Sequence, residues 1–186
     1  MTTWKRGRQA VSDVLLTSSV PLEEFIDKVI SDKVHRVRGT AVFMTLNRNV
    51  APSALMHHLH HNKSLHQNVV LLSIVTRNEP DVRAADRVRV TTYPHGFAKA
   101  VAAYGYMESP DITEILKSCE GAGLPIDTAT ISFFLGRETV LPNGAIRMAR
   151  WRKKLFIFLS RNARPATEYF RIPADRVIEV GAQIQI

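Results

Sequence analysis

Apolar residues recur along this chain in two ways, as short continuous runs of strand length and as stretches at helical spacing. Residues 41–46 form one such run, and residues 69–75 form a second that is broken only by Ser73. Both have the length and β-branched content of buried strands. Between them Pro52 suits the first turn of a helix, where its missing N–H is not needed and its φ is already helical. Residues 39–75 thus predict a strand–helix–strand unit, and the rest of the chain reads as elements added to it. A unit of this length favours a parallel pair with a right-handed crossover, covered by helices on at least one face.

Upstream, Leu22, Phe25, Ile26, Val29 and Ile30 lie at helical spacing behind Pro21, with Glu23 and Glu24 near the positive end of the dipole. One face of that helix is expected to dock on the sheet, and residues 35–38 to lead into the first strand. In the crossover helix Leu55, Met56 and Leu59 make the apolar stripe; His57, His58, His60 and His61 take the exposed remainder, and His66 follows in a loop. Residues 77–86 are polar, contain Pro80 and predict a surface loop. Val88, Val90 and Thr92 alternate with Arg87, Arg89 and Thr91, and a turn at 93–96 joins them to an extended stretch at 97–106. That is an antiparallel hairpin.

Ser109 as N-cap, with Pro110 and Asp111, opens a helix that turns Ile112, Ile115, Leu116 and Cys119 to the core, and Gly121 and Gly123 stop it. Residues 129–135 resume a strand, with Phe133 or Phe134 inward, before 136–139. Residues 147–162 predict a helix with Met148, Trp151, Leu155, Phe158 and Leu159 buried and its cations outward. One helical turn at 166–170 and a half-buried strand from Ile178 onward complete the chain. The expected fold is α/β: a mixed, mainly parallel sheet with an antiparallel hairpin and helices packed on its faces.

With 186 residues, 45% of them hydrophobic, the chain is long enough for one domain with a sizeable core. The expected division is a basic linker and helix at 1–38 and an α/β domain at 39–186. The single cysteine, Cys119, excludes an internal disulfide and agrees with a reducing compartment. Apolar runs fall far short of the roughly 20 residues that span a bilayer, and the N-terminus has no apolar signal core. As given, the chain reads as soluble.

Net charge is +8, and it is concentrated. Residues 1–8 hold Lys5, Arg6 and Arg8 without an acid, while 147–164 hold Arg147, Arg150, Arg152, Lys153, Lys154, Arg161 and Arg164 without an acid. Taking those 3 and 7 charges from +8 leaves −2 for the remainder. Two basic patches thus sit on a nearly neutral body, and for each a plain solvated tail or helix face stands beside the reading that follows. Trp4 with Lys5, Arg6 and Arg8 has the composition of a juxtamembrane segment. Arg147, Arg150, Arg152, Lys153 and Lys154 form a helix face suited to an anionic ligand or to lipid headgroups.

Catalytic arrangements are missing from the sequence. There is no G-x-S-x-G elbow, P-loop, G-x-G-x-x-G, H-E-x-x-H or paired C-x-x-C. His57 and His61 have the spacing to share a face, but the segment supplies no cysteine or carboxylate to complete a metal site. Glu138 beside Arg137 reads as a structural ion pair, and Cys119 among apolar neighbours is no nucleophile. Neither aromatic-basic stretch, 151–158 or 169–171, matches an RNA-binding signature. The expectation is a protein that is not an enzyme, with no catalytic, cofactor or metal residues and no nucleic-acid partner.

Several segments together resemble one family. They are GTAVFMT at 39–45, LMHHLHHNKSLH at 55–66, VVLLSI at 69–74, YGYMESPDI at 104–112, FFLGRET at 133–139, WRKKLFIFLSRNA at 151–163 and YFRIPADRVIEVGAQIQI at 169–186. In this order they resemble the cytoplasmic C-terminal region of bacterial Kup potassium uptake transporters, and the opening TWKRGR is similar to the segment after their last membrane helix. Gly136 stands where serine is usual, and the helix at 55–61 is richer in histidine. The resemblance implies a K⁺/H⁺ symporter of the bacterial inner membrane, with this domain on its cytoplasmic side and the ion sites outside these residues. It further implies a regulatory or structural role beside the transporter's transmembrane part; in some relatives the cytosolic region binds cyclic di-AMP and inhibits uptake, and this sequence carries no clean signature for that ligand. The short basic segment at its start adds the membrane surface as a partner and the expectation of a homodimer that passes its state to the last membrane helix. The competing reading is a stand-alone soluble α/β protein that binds a nucleotide or other acidic partner through residues 147–154.

Overall fold

The apolar runs are buried on both faces, which makes them central parallel strands. In β1 (His35–Met44) the residues Ala41 and Phe43 join one core and Val42 the other; in β2 (Ser64–Thr76) Val69 and Leu71 oppose Val70 and Leu72 in the same way. The computed structural model describes residues 2–17, 20–124, 126, 130–141, 149–161 and 166–185. β3 (Val88–Thr92), β4 (Phe97–Tyr104), β5 (Ile131–Leu141) and β6 (Val177–Gln185) complete one sheet of order β3-β4-β2-β1-β5-β6. β1 is parallel to β2 and β5, β2 to β4, and β5 to β6; β3 is antiparallel to β4. The sheet is mixed and mainly parallel with one antiparallel hairpin, as the pattern requires.

Helices fill each face. α2 (Leu22–Ser31) contributes Leu22, Phe25, Ile26 and Val29, and α3 (Ser53–Asn62) contributes Ala54 and Leu55, to the core that contains Phe43, Phe97 and Phe134. α5 (Ile112–Gly121) lays Ile112, Ile115, Leu116 and Cys119 on the opposite core with Phe133, Tyr104 and Val70. Phe133 and Phe134 are thus both inward, on opposite faces, because β5 lies between two other strands. Phe134 stacks on Phe43 with centroids 4.6 Å apart. Burying each such ring contributes roughly 1.5–3 kcal/mol.

Several boundaries differ from the sequence expectation for identifiable reasons. β1 begins at His35, where pairing with Ser64 starts, and ends at Met44, leaving Leu46 84% exposed. β5 runs on through 136–141 because β6 continues to pair with it as far as Leu141 opposite Gln185. The N-cap of α5 is Asp111, not Ser109: its backbone is extended and its carboxylate accepts the Thr113 N–H at 2.8 Å. Residues 77–86 are mainly loop but include the start of α4 (Ala84–Arg87).

That loop is anchored. The N–H groups of Val82 and Gly105 donate to the Glu108 carboxylate at 3.0 and 2.7 Å, and Arg87 pairs with the same carboxylate. A Cβ on Gly105 would overlap the Pro80 carbonyl, so the close approach requires glycine. These two N–H bonds, followed by Arg87, hold the Glu108 carboxyl below its ordinary value.

Two helices stand apart from this arrangement. α1 (Thr2–Thr17) and α6 (Arg150–Arg161) pack on each other, and none of their described residues belongs to either core. α7 (Ala166–Tyr169) gives the single turn expected before β6.

Candidate functional site

The basic segments 1–8 and 147–164 are far apart in sequence, and α1 and α6 bring their described parts together. Trp4 packs its ring on Phe156, centroids 5.5 Å apart. Gly7 and Val11 follow at i+3 and i+7 and are buried. A Cβ on Gly7 would overlap the Phe156 ring, so glycine is what lets the two helices approach. The opening residues 2–8 belong to the first half of a 16-residue helix. The missed signal was the spacing of Trp4, Gly7 and Val11, a narrow stripe carried by a residue without a side chain.

α6 is turned the opposite way from the sequence expectation. Phe156 and Lys153 are buried, at 3% and 7% exposure. Trp151, Leu155, Phe158 and Leu159, expected in the core, are 60%, 40%, 64% and 39% exposed. Both sheet faces are already covered by α2, α3 and α5, and α6 packs on α1 through Phe156 instead. Met148, the other residue of the expected stripe, lies outside the described residues.

The predicted site residues distribute accordingly. Trp4, Lys5 and Arg8 are exposed on α1. Arg152 is half-buried with its guanidinium 5.2 Å over the Trp151 ring, and Lys153 is buried. Arg147 lies outside the described residues, and so do the side chains of Arg6, Arg150 and Lys154.

The histidine helix is also only partly a surface. His57 and His61 share an exposed face, rings stacked at 6.3 Å. His58 is half-buried, 4.7 Å from Phe134 and 5.9 Å from Phe43, and His66, expected in a loop, lies in β2 with its ring 5.9 Å from Phe134. Burial lowers the pKa of both rings, and for His58 the neighbouring His66 lowers it further. Among the described residues no group of three or more His, Cys, Asp or Glu is arranged to hold a metal. Cys119 is 1% exposed, and burial, then Glu120, pushes its thiol up to about 11, which leaves no thiolate for nucleophilic chemistry. Arg137 pairs across the sheet with Glu179 at 2.9 Å, and the Glu138 side chain lies outside the described residues.

Among the described residues no helix is long and apolar enough to cross a membrane. Against known families, residues 38–186 match the K⁺ potassium transporter C-terminal domain. The chain belongs to this family. As a whole, this K⁺ transporter C-terminal domain is 48% identical over 186 residues to a protein of Myxococcus xanthus named "Probable potassium transport system protein Kup", covering 28% of that protein. It is 44% identical over 191 residues to a protein of the same name from an Anaeromyxobacter species, covering 29% of it. A Geobacter sulfurreducens relative, "Probable potassium transport system protein Kup 1", is 43% identical over 187 residues and covered to 30%. In all three the match takes in the whole of the present chain, which spans under a third of their length. No solved structure matches it.

Proposed function

We propose that this chain is the cytosolic regulatory and structural part of a K⁺ uptake protein, a K⁺/H⁺ symporter, whose ion path lies in other segments. The family match over 38–186 carries the reading. On it, none of these residues coordinates K⁺; the domain sits on the cytoplasmic side of a bacterial inner membrane, is a homodimer and is not catalytic.

Growth at limiting K⁺ tests it, in a strain without other uptake systems that expresses the parent protein with or without residues 9–186. Uptake that is lost or no longer regulated is the expected result. Uptake with unchanged rate, K⁺ dependence and regulation overturns the reading. Titration calorimetry with cyclic di-AMP tests ligand control separately: heat with a saturable midpoint adds the ligand to this reading, and its absence removes the ligand but leaves the domain assignment standing.

A further inference from the structure

α6 places Trp151, Leu155, Phe158 and Leu159 at i, i+4, i+7 and i+8, one face of the helix, and that face is the exposed one. Its sequence, RWRKKLFIFLSR, has no acid, and α1 beside it exposes Lys5 and Arg8. An exposed apolar stripe that includes tryptophan, on a helix whose sequence holds cations and no acid, is the composition of helices that lie in the plane of a bilayer interface. The sheet does not cover the stripe, since α2, α3 and α5 already cover the sheet. A second copy placed on it would oppose two strongly basic helix pairs, whereas an anionic lipid surface complements their charge.

We propose that the α1/α6 pair docks on an anionic lipid surface, seating Trp151, Leu155, Phe158 and Leu159 at the headgroup boundary with the cations of both helices among the headgroups. This docking is a property of the chain itself and does not depend on the transport reading. The two tryptophans of the sequence, Trp4 and Trp151, both lie in the pair, so intrinsic fluorescence reports on this surface alone.

Flotation of the 186-residue chain with phosphatidylglycerol-containing vesicles and with pure phosphatidylcholine vesicles tests the proposal. Expected are binding to the anionic vesicles, its weakening by salt, and a blue shift of the tryptophan emission. The double variant Leu155→Ser/Phe158→Ser replaces exposed residues; its partitioning should fall by more than about tenfold with an unchanged thermal midpoint. Lys5→Gln/Arg8→Gln should reduce both binding and its salt dependence. Should the serine variant fold poorly, quenching of the wild-type emission by brominated lipid replaces it, and no quenching counts against the proposal. A chain that stays in the aqueous phase at low salt overturns it. So does a folded serine variant that binds like wild type, or a vesicle-independent dimer, seen in sedimentation equilibrium, that the serine substitutions dissolve.

Discussion

His58 and His66 flank Phe134 at the edge of a core, and their chemistry has a pH consequence that their sequence positions do not disclose. Both rings titrate below their ordinary value, so the unfolded chain binds more protons than the folded one once pH falls below about 6.5. Their contribution to stability is complete above that pH and is lost as pH falls toward the folded-state values. Thermal unfolding should therefore show a lower midpoint at about pH 5.5 than at about pH 7.5, and His58→Leu/His66→Leu should reduce that difference. Cys119 makes a second residue-scale case. With its thiol buried and raised to about 11, labelling by a maleimide should proceed no faster than unfolding, and rapid labelling of native protein would contradict the packing of α5.

At the scale of elements, helical spacing located α2, α5 and α6 alike, yet only α2 and α5 bury their apolar stripes in the sheet cores. Periodicity shows that a helix has an apolar side, and what covers that side depends on which faces of the sheet are vacant. Capping is more local. Asp111→Ala removes the acceptor of the Thr113 N–H and should cost about 1 kcal/mol in urea unfolding. Gly7→Leu should separate α1 from α6, because the added side chain meets the Phe156 ring. Hydrogen exchange should then show α1 amides losing protection while β1 and β2 keep theirs, and equal protection of α1 in variant and wild type would refute the close approach.

The whole molecule combines a two-faced sheet with a separate helix pair, and truncation should distinguish the two. Without 1–17 the chain loses α1 and the buried Val11 but no described member of either sheet core, so cooperative unfolding should persist. A chain of 38–186, the extent of the family match, also loses Leu22, Phe25, Ile26 and Val29, each worth roughly 1.5–3 kcal/mol of burial. It should aggregate or unfold at much lower urea, as light scattering and circular dichroism would register. The mixed sheet itself was legible early: runs buried on both faces, such as 69–72, have no polar alternation and read as interior parallel strands. The outward turn of α6 was not legible, because buried and interfacial helices share the same apolar spacing.

By itself the sequence determined the α/β class, the crossover unit at 39–75, the hairpin at 88–104 and the facing of α5, since each follows from period, turn residues and local sterics. It also carried the family resemblance. Tertiary structure alone decided that Phe133 and Phe134 serve opposite cores, that His58 and His66 meet around Phe134, and that the helices carrying the two basic segments pack on each other. These depend on contacts between residues far apart in the chain, and local periodicity contains no record of which partner a face will meet.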